Sequence, residues 1–210
     1  MNTAPQTHWN AVYREKKEAQ TSWFRAHLDE SLRLIDSLNL PRDAALLDVG
    51  GGRATLVDDL LQRGFTDVGV LDISATALDE ARTRLGAAGA DVNWIAGDVT
   101  EVELPAARYA LWHDRAVFHF LVDKIARDRY VRQISRVVRR GGHAVIGAFA
   151  ADGPERCSGL PVARYDADTL AAQFAPTLEK VAASRELHRT PWNSEQAFTY
   201  VVLSRRAEEN

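Results

Sequence analysis

At 210 residues the chain is long enough to enclose one full hydrophobic core. Its 46% apolar and 26% charged residues are those of a globular chain, and a formal net charge of −3 argues against a nucleic-acid surface. A single cysteine excludes an internal disulfide framework and fits a reducing compartment.

No apolar run approaches the length of a membrane span, and Met1-Asn2-Thr3-Ala4-Pro5 lacks a secretory signal pattern. The expectation is a cytoplasmic chain folding as one domain over residues 1–210, with neither nucleic acid nor membrane as partner. Nothing in it sets an oligomeric state. Residues 1–40 read as an N-terminal helical extension or lid. Aromatic residues there, His8, Trp9, Tyr13, Trp23 and Phe24, surround the charged run Arg14-Glu15-Lys16-Lys17-Glu18, which reads as a solvated face or flexible link. Trp9 and Trp23 either pack this extension onto the core or cover a ligand. Leu28, Leu32, Ile35 and Leu38 then mark one helix face, and Pro41 ends it.

The stretch Leu46-Leu47-Asp48-Val49-Gly50-Gly51-Gly52-Arg53-Ala54-Thr55-Leu56 reads as strand, glycine turn and helix. Leu56, Val57, Leu60 and Leu61 recur at helical spacing, and Gly64 is placed to cap that helix. Glycine permits positive φ and lets a ligand reach bare backbone, while the helix presents free N–H groups. That is a nucleotide-type site, or else a tight turn with no ligand. The dinucleotide fingerprint needs glycine at its sixth place, where Thr55 stands. Asp48 is also a poor neighbour for a pyrophosphate and suits a cationic amine. Asp48-x-Gly50-x-Gly52-x-Ala54 resembles the first motif of the class I S-adenosylmethionine-dependent methyltransferases, acid-x-Gly-x-Gly-x-Gly, with alanine for the last glycine.

Val68–Asp72 reads as a second buried strand, and Ser74 can cap a helix carrying Leu78, Ala81 and Leu85. Asp72 can accept both hydroxyls of a ribose, with Ile73 beside it, or it can merely cap the helix start. Val92–Val99 reads as a third strand. The resemblance implies that Asp98 accepts the adenine amino group and that the Val99 N–H faces the ring. Tyr109–Asp114 reads as the fourth strand, running into Arg115–Leu121. The resemblance places acceptor-facing residues here, so Asp114, His119 and His113 are the candidates for proton transfer, each also readable as a structural hydrogen-bonder. His113 and His119 lack a partner cluster, and no metal is expected.

Ile125, Val131, Ile134, Val137 and Val138 predict a long amphipathic helix ended by Arg139-Arg140-Gly141-Gly142. His143–Phe149 predicts the fifth strand. The turn-rich segment 150–164, with Cys157, is expected to overhang the acceptor side. Asp166 or Asp168 can cap a short helix, and Leu178–Arg189 and Ala197–Arg205 read as a terminal hairpin. The resemblance therefore covers residues 42–205. It implies an α/β, Rossmann-like doubly wound seven-stranded sheet of order 3-2-1-4-5-7-6, its terminal hairpin antiparallel. Its cofactor would be S-adenosylmethionine, held by Asp48, Gly50, Gly52, Asp72, Ile73, Asp98, Val99 and Trp23.

The activity implied is methyl transfer to nitrogen, oxygen or sulfur. A small-molecule acceptor is expected, because the chain holds no large inserted recognition domain. A protein lysine is the alternative, since Trp9-x-x-x-Tyr13 followed by Ser22-Trp23-Phe24 resembles the opening of a subgroup that includes protein-lysine methyltransferases. A non-catalytic S-adenosylmethionine sensor or partner subunit is a third reading. A nicotinamide-dependent oxidoreductase is opposed by Thr55 and by the final hairpin.

Overall fold

The computed structural model describes residues 4–15, 21–175 and 177–206. Lys16, Lys17 and Glu18 of the charged run lie outside them. The expected seven-stranded sheet is present. Five parallel strands, β1 (Leu46–Val49), β2 (Val68–Asp72), β3 (Asn93–Ala96), β4 (Tyr109–Arg115) and β5 (Val138–Phe149), are completed by β8 (Leu178–Arg189) and β9 (Glu195–Arg205). The order is β3-β2-β1-β4-β5-β9-β8, with β9 antiparallel to both neighbours. Between β5 and β8 a separate hairpin forms from β6 (Arg156–Cys157) and β7 (Leu160–Pro161). Segment 150–164, expected as a turn-rich loop, therefore holds paired strands. Ser158 (φ 49°) and Gly159 (φ 80°) make their two-residue turn, with the twist such hairpins favour.

Every residue of β1 and β2 is buried, because helices cover both sheet faces. Alternate residues serve opposite layers: Leu46 packs with Leu56, Leu60 and Val68, whereas Leu47 and Val49 pack with Trp112, Tyr130 and Ile134. The first layer carries α2 (Asp29–Ser37) and α3 (Leu56–Gln62), and the second carries α5 (Lys124–Val137) and α6 (Ala167–Ala172). The helix ends follow local chemistry. Ser74 accepts from the Ala77 N–H at the start of α4 (Ala75–Leu85), and Asp123 accepts from Ala126 at the start of α5. Asp166 and Thr169 form a capping box on α6. Past α3, Gly64 (φ 83°) turns the chain so that Phe65 N–H reaches Leu60 C=O at 3.1 Å.

The structure departs from expectation at the end of the long helix, on its buried face and in the third strand. The long helix stops at Val137, and Val138–Gly142 belong to β5 rather than to a helix terminus. The extended Val138 pairs with Tyr109, and pairing resumes at Leu111 with His143. Arg139, Arg140 and Gly141 are thereby pushed into solvent as an irregularity. Ile125 is 63% exposed, because the buried stripe of α5 is Tyr130, Gln133, Ile134 and Val137. The third strand spans only Asn93–Ala96, so Asp98 sits in the turn after it.

α1 (Ala4–Glu15) lies against α4 and over the strand ends. The Arg53 guanidinium, buried and paired with Glu80 at 2.6 Å, donates to the Tyr13 carbonyl and lies 5.0 Å from the Tyr13 ring. Asn10 Oδ1 accepts from Ser74 Oγ at 2.6 Å. The helical extension is thus pinned beside the glycine turn.

Candidate cofactor and acceptor cleft

One cleft runs along the carboxyl ends of the sheet, enclosing about 260 Å³. Its two halves follow strand order. Gly50, Gly51, Asp72, Ile73, Asp98 and Val99 line the part above β1, β2 and β3. Arg115, Phe149, Cys157, Leu160, Gln196 and Phe198 line the part above β4, β5 and β9. This is the crevice beside the strand-order reversal at β1 and β4.

The glycine turn is held tight. Gly50 (φ 72°) and Gly52 (φ 43°) adopt backbone that favours glycine. The Gly50 N–H donates to Leu71 C=O at 2.7 Å, tying the turn to β2. A Cβ on Gly50 would lie 2.0 Å from Val117 Cγ2, and one on Gly51 would lie 2.6 Å from Asp48 Oδ2. The backbone there is bare because no side chain fits.

Three carboxylates stand at the strand ends. Asp72 is buried and accepts from the Ser74 N–H at 2.8 Å and from the Gly52 N–H. Burial outweighs those bonds and, with the nearby Asp48 charge, raises its pKa to about 7. Asp98 accepts from both the N–H and the hydroxyl of Thr100, each at 2.8 Å and each on Oδ1. Asp48 faces His113, its cross-strand partner in the β1–β4 register. His113 Nδ1 lies 2.7 Å from Asp48 Oδ1, and His113 Nε2 lies 2.9 Å from Ser31 Oγ. The carboxylate accepts a hydrogen bond from the Nδ1 side of the ring, and the serine hydroxyl meets Nε2 on the other side. His113 reaches the cleft wall, yet both its ring nitrogens are engaged.

The other two expected acceptor-side residues point elsewhere. Asp114 is fully buried and accepts from Val117 N–H (2.8 Å), Phe118 N–H (3.0 Å) and the Tyr130 hydroxyl (2.5 Å). Burial still lifts its pKa to about 6. Along β4, His113 and Arg115 face one side and Asp114 the other, toward α5. His119 is also fully buried, with its ring 4.5 Å from Phe120 and 4.6 Å from Phe149. Its Nδ1 accepts from Phe149 N–H at 3.3 Å, and burial lowers its pKa to about 3, so it is neutral. Neither lines the cleft, in contrast with the expectation that both face it.

The aromatic extension does line it. Trp9 packs edge-on against Trp23 (5.9 Å) and Phe120 (5.1 Å). Tyr13, whose hydroxyl converges with Asp72 over Gly52, was not singled out as a ligand contact from sequence. Burial and the Asp72 charge hold its pKa well above the ordinary tyrosine value. Arg115, Gln196 and Phe198 were missed as well. Among the described residues, no group of three or more His, Cys, Asp or Glu side chains could hold a metal ion, and no helix is long and apolar enough to cross a membrane.

Residues 46–142 match the methyltransferase domain family. The matched segment, just under half of the chain, reads as a methyltransferase domain, and the sheet order is the one expected of the class I fold. The chain is 23% identical over 155 residues to the EEF1A lysine methyltransferase 2 of Homo sapiens, covering 66% of this chain and 65% of that protein. It thus spans less than two thirds of the curated relatives it matches, and 20% of some. Among solved structures, one from work on converting a disulfide bond into a thioacetal group during echinomycin biosynthesis superposes with a TM-score of 0.80 at 19% identity, covering 97% of this chain and 94% of that one. The Burkholderia thailandensis 1,6-didemethyltoxoflavin-N1-methyltransferase, bound to 1,6-didemethyltoxoflavin and S-adenosylhomocysteine, gives 0.70 at 21% identity, covering 97% and 85%. The matched segment of the methyltransferase domain holds Asp48, the glycine turn, Asp72 and Asp98. Phe149, Cys157, Glu186 and Phe198 lie beyond it.

Proposed function

We propose that this chain binds S-adenosylmethionine in the β1–β3 half of the cleft and methylates a small molecule seated in the β4–β9 half. The observation that carries this is the pairing of a bare Gly50–Gly52 turn with the buried Asp72 carboxylate beside it. Asp72 would take the ribose hydroxyls, with Ile73 at its side. Asp98, whose described bonds all fall on Oδ1, would use Oδ2 for the adenine amino group next to the Val99 N–H. Asp48, fixed by His113, which Ser31 holds from the other side, would set a negative field at the amino-acid end. The aromatic wall of Trp9 and Trp23 would exclude water.

When bound, S-adenosylmethionine supplies an electrophilic methyl group on a good leaving group. The chain's work is then to align the attacking atom and keep the site dry. Asp114 and His119 are proposed as positioning residues. Asp114 holds the turn after β4, and His119 ties that turn to the end of β5. The lysine methyltransferases among the relatives favour a second reading, in which the acceptor is a protein lysine.

Calorimetry with S-adenosylmethionine, S-adenosylhomocysteine and NAD tests the proposal. Binding of the first two, weakened by about 1.5–3 kcal/mol in Asp72→Ala, is expected. Binding of NAD alone would overturn it.

A further inference from the structure

From the far half of the cleft we infer the chemical class of the acceptor: a flat or apolar body carrying a carboxylate, received by Arg115. The inference rests on the methyltransferase reading for its name of acceptor site, but its physical basis is separate. Arg115 ends β4, lines the cleft, and has a side chain only 5% exposed. Its Nε donates to the Tyr200 hydroxyl at 2.9 Å, and its Cζ lies 4.3 Å from the Phe198 ring centre. Gly147 opposes Tyr200 across β5 and β9, and a Cβ there would meet the Tyr200 ring at 2.6 Å, so glycine leaves room for the ring that anchors the arginine. The residue after Arg115, Ala116, takes φ 78°, and its N–H is held by Gly147 C=O at 2.8 Å. Such backbone is uncommon for a side-chain-bearing residue and is kept by surrounding bonds.

The guanidinium is anchored at Nε and incompletely used beyond it. Nη2 is buried with no hydrogen-bond partner, and its ion pair with Glu186 spans 3.6 Å. Buried donors of this kind are costly to leave unmade. Glu186 does not offer the reverse polarity. It accepts from the Tyr200 hydroxyl at 2.9 Å and is shared with Arg25 at 3.4 Å. The other nearby carboxylates are spent inward: Asp48 on His113, and Asp114 on two N–H groups and Tyr130. An arriving ammonium therefore meets committed acids, whereas an arriving carboxylate meets a guanidinium whose Nη2 still lacks a hydrogen-bond partner. Phe198 lies over Arg115, and Phe149, Phe120 and Trp23 line the same cleft, which suits a ring or a similar apolar body.

The test is calorimetric titration of the wild-type chain with matched probes, both alone and saturated with S-adenosylhomocysteine. The probes are benzoate, 1-naphthoate and indole-3-carboxylate, the corresponding amides, and benzylamine. At least one carboxylate is expected to bind roughly tenfold or more tighter than its amide and than benzylamine, the scale of a hydrogen bond to a charged group. In Arg115→Gln that preference should shrink to about twofold or less while S-adenosylhomocysteine affinity holds, and Arg115→Lys should keep part of it. Circular dichroism on each variant reports folding, and the wild-type comparison stands without them. No carboxylate binding at all, equal binding of acid and amide, or preferred binding of benzylamine would overturn the inference. Failure of S-adenosylhomocysteine to bind would instead defeat the methyltransferase reading, with the acid–amide comparison still measured on the unliganded chain.

Discussion

Asp72 should make cofactor affinity depend on pH. A ribose donates its hydroxyl protons, so it binds the ionised carboxylate. Burial raises the Asp72 pKa to about 7 in the unliganded chain. Two units below that value only about one carboxylate in a hundred is ionised, so affinity for S-adenosylhomocysteine should fall up to about a hundredfold, about 2.7 kcal/mol, from about pH 8 to about pH 5. Binding at about pH 6 should release a proton, measurable by calorimetry in buffers of different ionisation enthalpy. The effect on stability has the opposite sense. Because the folded pKa lies above the unfolded one, the folded chain holds the extra proton, and stability falls as pH rises between about pH 4 and about pH 7. Asp72→Asn removes the titrating group. It should flatten the affinity profile, bind more weakly than wild type at about pH 8, and resist heat better there without ligand. A wild-type affinity that is flat from about pH 5 to about pH 8, or an unchanged slope in Asp72→Asn, would refute the assignment of Asp72 to the ribose.

Other expectations follow from the remaining geometry. Asp114→Ala leaves two N–H groups and the Tyr130 hydroxyl without their acceptor, so it should cost about 2–4 kcal/mol by denaturant titration. A full-stability variant with lost turnover would return Asp114 to direct chemistry. Trp9 and Trp23 pack together on the cleft wall, so tryptophan fluorescence should change when S-adenosylhomocysteine binds. Deleting residues 1–24 should lower turnover more than melting temperature, and equal turnover would remove the lid role. Gly50→Ala places a methyl against Val117 at positive φ, so ligand binding should be lost together with about 1–3 kcal/mol of stability. An unaffected Gly50→Ala would show that the turn is not a cradle.

The glycine turn and the acids that line the β1–β3 half of the cleft were legible because their signals are local. Glycines at a turn and acids at strand ends need only the strand–turn–helix alternation to be placed. The same alternation, with the resemblance, gave the sheet order and terminal hairpin. The acceptor half depends on register. Arg115, Phe198, Tyr200 and Glu186 meet only after β9 pairs with both β5 and β8. Strand parity was the neglected signal at β4. Asp114 stands between His113 and Arg115, so it must face the opposite layer from them. The density of polar residues there hid that constraint. The pairing of Asp48 with His113 needed the β1–β4 register as well as their adjacency. At the end of α5, Arg-Arg-Gly-Gly resembled a helix stop, but the β-branched Val138 already pairs with Tyr109 in the sheet.

The most direct measurement is the crystal structure of the chain grown with S-adenosylhomocysteine. The account predicts the nucleoside over the Gly50–Gly52 turn, with both ribose hydroxyls on Asp72 and the adenine amino group on Asp98. It also predicts that the sulfur will face the half of the cleft that holds Arg115. A ligand bound elsewhere, or a ribose that leaves Asp72 untouched, would contradict it.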